Sequence, residues 1–189
     1  MNKKGLTDIN VQNKKVLVRC DFNVQLDSNM NITDDIRITS ALPTINYLLD
    51  NGAAVILMSH LGRPDGEPNP KYSLLPVAKR LEELTKKEVI FEDCDVVVDD
   101  KVKADAAKLQ PGQIMLLQNT RYKKEETKNG EELAKNLASL ADIYINDAFG
   151  TAHRAHSSNA GVCKFLPSAV GFLVEKEISV MGKALSNPE

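Results

Sequence analysis

The sequence predicts an α/β domain built on a mostly parallel sheet with helices above and below it. Three observations carry that prediction. Short β-branched runs recur along the chain. These runs are apolar on both faces, as in parallel strands covered on each side. Helix-sized amphipathic stretches alternate with them at a regular rhythm.

The strand candidates are Val16 to Arg19, Ala54 to Ser59, Glu88 to Glu92, Ile114 to Gln118 and Ile143 to Asp147. Between the first two, Ile38, Leu42, Ile45 and Leu49 keep a three-to-four spacing and Gly52 supplies a stop. Pro43 falls within that helix and is expected to bend it or to mark its first turn. Ser73 is placed to cap a second helix carrying Val77, Leu81 and Leu84. Leu133, Leu137 and Leu140 form the stripe of a third, after the turn Asn129-Gly130. A final helix runs from Phe172 to Leu185, and Ser186-Asn187-Pro188-Glu189 reads as the start of a linker. The expected organisation is one domain over 1–171, with 172–189 as an interdomain helix and the beginning of a hinge.

Composition excludes several classes. The 189 residues are 42% hydrophobic and 26% charged, ordinary for a folded chain with one core. A net charge of −2 argues against sequence-independent nucleic-acid binding. No apolar run is long enough to span a bilayer, and MNKKGLTDIN has no apolar signal segment. Cys20, Cys94 and Cys163 are widely separated with no C-x-x-C pair, which fits a reducing cytoplasm. Cys163, in the apolar stretch GVCKFL, is expected to be buried and inert.

Placement of the arginines carries the functional signal. Arg63, Arg121 and Arg154 fall in loops that follow strands, and Arg37 falls at a helix start. His60, His153 and His156 also lie beyond strand ends. In an open parallel sheet such loops gather at one edge, where ligands bind. Guanidinium groups directed at one crevice repel one another unless an anion lies between them, and their planar fork matches carboxylate and phosphate oxygens. A small, multiply negative ligand such as a phosphorylated carboxylic acid is implied. Asp21 and Asn23, in CDFN, add hydroxyl-binding groups at the same edge. Arg80 reads as a surface residue paired with Glu83, Arg19 as a structural ion-pair residue, and Lys123-Lys124-Glu125-Glu126 as a solvated loop. There is no G-x-x-x-x-G-K-[ST] or G-x-G-x-x-G nucleotide loop. His153-x-x-His156 with Asp147 lacks a further carboxylate, so no metal site is expected.

The blocks VLVRCDFNV, DDIRITSALPTINYLL, MSHLGRPDG, LLQNTRY and YINDAFGTAHRAHSS occur in this order and resemble the N-terminal domain of the phosphoglycerate kinase family. The resemblance runs from about Val16 to the last residue. It implies a Rossmann-like, three-layer α/β domain that binds 3-phosphoglycerate or 1,3-bisphosphoglycerate. It also implies reversible phosphoryl transfer between ATP and the carboxylate of 3-phosphoglycerate, in glycolysis, in the cytoplasm. Mg-ATP or Mg-ADP belongs to a second domain beyond this sequence, so no cofactor is expected on this chain, and the full-length form is expected to be a monomer. By motif, Asp21 and Asn23 would contact the hydroxyl region, while His60, Arg63, Arg121 and Arg154 would cradle the phosphate. Arg37 would reach the carboxylate and act as the catalytic residue. Leu61, Gly62, His153 and His156 take second-line places beside the pocket. Gln25 and Gln118 depart from the family pattern, and Gln118 removes a carboxylate expected near Arg121. A different reading of the same residues is a free-standing binding module for small phosphorylated anions, without catalysis.

Overall fold

A computed structural model describes residues 4–148, 150 and 154–186. The strands are β1 (Lys15–Arg19), β2 (Ala54–Met58), β3 (Val89–Glu92), β4 (Ile114–Leu117), β5 (Ile143–Asn146) and β6 (Ser168–Val170). The helices are α1 (Ile36–Asp50), α2 (Leu75–Thr85), α3 (Asp100–Ala107), α4 (Glu131–Ala138) and α5 (Phe172–Ser186). The six strands form one sheet in the order β3-β4-β2-β1-β5-β6, and every pairing is parallel.

Strand parity builds the two outer layers. Val16, Val18, Val55, Leu57, Leu116 and Ile145 pack with Ile38, Ile45 and Leu48 of α1 and Val77 and Leu81 of α2. The intervening residues Leu17, Ile56, Met58, Met115, Leu117 and Tyr144 pack with Val102 of α3 and Leu133 and Leu137 of α4. This explains why the strands show no polar alternation: both of their faces are covered.

Local chemistry sets most of the boundaries. Asp99 Oδ1 accepts the Val102 amide at 2.9 Å and starts α3. Ser73 Oγ accepts the Leu75 amide at 3.2 Å, so it serves α2 from one position further out than an N-cap, which is Leu74. Lys86 closes α2 in the left-handed region at φ 59°. Pro43 lies in the middle of α1 rather than in its first turn. Helix α3 has only Val102 and Ala106 buried, and β6 spans three residues, so neither offers the periodic signal that reveals the other elements.

The connection order defines the crevice. From β1 the chain moves outward through β2 to β3 and β4, then returns to the opposite side of β1 with β5. The loops after the central strands therefore diverge around the carboxyl end of β1, the switch point at which such sheets bind ligands.

Candidate functional site

The loop after β1 is fastened to the loop after β2. Ser59 Oγ accepts the Phe22 amide at 2.9 Å and donates to the His60 carbonyl at 2.8 Å. Asn23 Oδ1 accepts the Gly62 amide at 2.9 Å. The loop after β4 is fastened to the same segment by Asn119, which is fully buried. Its Nδ2 donates to the carbonyls of Leu61 and Tyr72 at 2.7 and 2.9 Å, and its Oδ1 accepts the Arg121 amide at 3.0 Å. Side-chain amides thus do here what strand pairing does within the sheet, and they hold three loops in one register.

On that platform Arg121 Nη1 donates to the Gly62 carbonyl at 3.1 Å. Gly62 sits at φ +62°, and an added Cβ would lie 2.4 Å from Cδ1 of Tyr72. Only glycine meets both the backbone and the space requirement. Arg63, Arg121 and Arg154 line a shallow depression of about 370 Å³, together with Lys123, Lys124 and Lys128. Asp65 is the one acidic residue on its wall among the described residues. Burial pushes the Arg121 guanidinium below its ordinary value, and Arg19, Arg154 and Arg63 add to that push. Cations gathered this closely create a strongly positive site suited to an anion.

Beside the depression, Arg37, in the first turn of α1, donates through Nη1 to Asp21 Oδ2 at 2.5 Å. His60 is 6% exposed. Burial, then Arg19, Arg121, His156 and Arg37, lower its pKa to about 2. His156 is buried, and desolvation lowers its pKa as well. A larger groove of about 1260 Å³ lies between the 29–35 loop and the start of α2 and holds none of the candidate residues. Arg80 on its wall is already neutralised by Asp35 at 2.8 Å and Glu83 at 2.6 Å, which leaves little charge for an anion.

A family model described as phosphoglycerate kinase matches residues 6–189. The chain belongs to the phosphoglycerate kinase family. The phosphoglycerate kinase of Finegoldia magna is 63% identical over 189 residues, covering 100% of this chain and 48% of that protein. The phosphoglycerate kinase of Clostridium perfringens is 57% identical over the same length, covering 47% of that protein. Among solved structures, phosphoglycerate kinase from Coxiella burnetii superposes with a TM-score of 0.86 at 38% identity, covering 100% of this chain and 46% of that one. The Pyrococcus horikoshii phosphoglycerate kinase gives a TM-score of 0.86 at 33% identity, covering 98% of this chain and 46% of that one. The chain therefore spans about half the length of the relatives it matches.

The structure brings Asp21, Asn23, Arg37, His60, Gly62, Arg63, Arg121 and Arg154 to one edge of this kinase-family domain. His153 lies outside the described residues. Leu61 contributes its backbone, and its side chain packs in the core.

Four expectations are corrected. Arg19 makes no ion pair among the described residues. It is fully buried, donating to the Cys20 carbonyl at 3.0 Å and to His60 Nδ1 at 2.8 Å. Gln118, expected to stand near Arg121, makes no hydrogen bond to it among the described residues. Its Oε1 accepts the Leu74 and Asn119 amides, and its Nε2 donates to Ser73 Oγ and Asp93 Oδ1. Glu126 is not solvated. It is fully buried and accepts the Ser158 amide at 2.8 Å and the Ser158 hydroxyl at 2.7 Å. Cys163 is exposed, because it is the middle residue of a short turn of helix, Val162–Lys164, that packs through Val162 instead. An arginine inside a run covered on both faces was the available signal for Arg19. Nothing in KKEE marks Glu126, since its partner Ser158 lies 32 residues away.

Proposed function

We propose that this chain is the phosphoglycerate-binding half of a phosphoglycerate kinase that transfers a phosphoryl group reversibly between ATP and the carboxylate of 3-phosphoglycerate. The observation that carries the reading is the gathering of Arg63, Arg121 and Arg154 around one depression, next to Arg37 and His60. In this reading the three arginines and His60 hold the phosphate, and Asp21 and Asn23 hold the hydroxyl. Arg37 takes the carboxylate and steadies the transferring phosphoryl group.

The chemistry asks for no general base. A carboxylate is already ionised at neutral pH, so positioning and charge neutralisation suffice. Mg-ATP or Mg-ADP is held by residues beyond this chain, which by itself binds 3-phosphoglycerate weakly and transfers nothing. The reading carries with it a cytoplasmic, glycolytic role and a monomeric full-length form.

An NMR titration of the chain with 3-phosphoglycerate, beside inorganic sulfate and an Arg63→Ala control, tests it. Saturable shifts around Asp21, His60, Arg121 and Arg154 that vanish in the control are expected. Equal response to sulfate and 3-phosphoglycerate would favour an unselective anion-binding module. Silence from a folded chain would remove the proposed site.

A further inference from the structure

Arg19 occupies an unusual place. It ends β1, is fully buried, and shares the strand parity of Leu17, which points to the α3–α4 side of the sheet. A buried guanidinium is ordinarily matched by a carboxylate. Here its Nη2 meets a ring nitrogen, Nδ1 of His60, at 2.8 Å.

That contact has one chemical solution. Arginine is always protonated and only donates. Nδ1 must therefore be the acceptor, its lone pair free, and the single ring proton must sit on Nε2. An imidazolium would place N–H against N–H at this distance. Arg121, His156 and Arg37 stand close enough to act on the same ring, and each opposes a second proton there. No carboxylate hydrogen-bonds the ring among the described residues.

We infer that Arg19 is a positioning residue that locks His60 as the neutral Nε2–H tautomer, so that His60 serves the anion site as a hydrogen-bond donor and not as a cation. The inference rests on the proposed site for its purpose, although the tautomer is a property of the ligand-free chain. It divides the labour at the crevice. The arginines supply charge, which any anion satisfies. His60 supplies one directional donor with a fixed orientation, which rewards an oxygen in one place.

The test is a two-bond 1H–15N spectrum of the histidine rings of the uniformly labelled, ligand-free chain between pH 5 and 8, with His60 assigned by its loss in His60→Gln. An unprotonated Nδ1 and a protonated Nε2, unchanged across that range, are expected. Arg19→Lys, which keeps a cationic donor, should retain this signature. Arg19→Met should lose it, with the Nδ1–H tautomer or an imidazolium appearing by pH 6. Imidazolium or Nδ1–H in the parent chain overturns the inference, even if the Met variant does not fold. An unchanged signature in folded Arg19→Met overturns it equally. A separate 3-phosphoglycerate titration of the parent chain keeps the two readings apart: absent binding with the expected tautomer removes the proposed ligand and leaves the Arg19–His60 relationship standing.

Discussion

Arg37 Nη1 lies 2.5 Å from Asp21 Oδ2, so the chain holds its proposed carboxylate-binding arginine with a carboxylate of its own. Both side chains are partly exposed, at 49% and 24%, which limits the pair to a small stability contribution, within about 1 kcal/mol. Its value is positional. Asp21→Asn is expected to leave stability nearly unchanged while weakening 3-phosphoglycerate binding by about tenfold or more, through loss of a charge-assisted hydrogen bond. Sulfate, which has no hydroxyl to place, should bind as well or better once a negative charge is gone. Parallel titrations with the two anions check this, and an equal loss for both would mean that Asp21 does not discriminate between them.

Gly62 is the joint at which Asn23 and Arg121 meet through one peptide segment. Gly62→Ala must either leave φ +62° or push the Tyr72 ring aside. We expect a stability loss of about 1–3 kcal/mol, read as a lower urea midpoint with an unchanged slope. Backbone shifts should spread to both Asn23 and Arg121, whereas an effect confined to Tyr72 would argue against the shared joint.

Two buried groups give stability opposite pH dependences. Burial raises the Asp147 pKa from 3.8 to about 6, partly opposed by its hydrogen bonds. Its contribution is fully present below pH 3.8 and is lost as pH rises through 6. His60 is lowered from 6.5 to about 2, so its contribution is present above pH 6.5 and is lost as pH falls toward 2. Between about pH 4 and 6 the two slopes cancel. His60→Gln should therefore gain stability over the parent as pH falls below 6.5, by about 1.4 kcal/mol per pH unit. Asp147→Asn should gain about as steeply from pH 4 to 6 and then level off. Denaturant titrations across this range give the differences directly. Profiles parallel to the parent would show that neither group keeps its shifted state.

Glu126 supports the segment that follows Arg154. Glu126→Ala strands the buried amide and hydroxyl of Ser158 and is expected to cost about 3 kcal/mol, whereas Lys124→Ala, on the exposed side of the same turn, should stay within about 0.5 kcal/mol. Thermal or urea unfolding of the two variants separates them. Equal, small effects would place Glu126 in contact with water after all.

Five of the six strands were legible because residues such as Val55, Ile56 and Leu57 pack on both sides of the sheet, which writes an unbroken apolar run into the sequence. Helix α3, with Val102 and Ala106 alone buried, left no such trace, and β6 is shorter than any useful window. The site was legible in part for a related reason. An arginine following a strand is visible at a glance, so Arg63, Arg121 and Arg154 stood out. What holds the loops together did not, because Asn119 and Ser59 bond backbone groups far away in sequence, and polar residues in loops are common. Arg19 departs from the expectation that a buried charge pairs with an opposite charge, because its partner is a histidine ring 41 residues distant.

The first turn of α5 is gripped from two sides: Phe172 N donates to Thr44 Oγ1 and Leu173 N to Asp147 Oδ1, each at 3.0 Å. Gly171 lets that turn approach, since a Cβ there would lie 2.2 Å from Asp147 Oδ1. Further along, Ile178, Val180 and Met181 stand exposed. The helix is fixed at its first turn and, from Glu175 to Lys183, exposed. The two anchors tie the root of α5 to the residue just after β5 and to the middle of α1, the helix whose first turn bears Arg37.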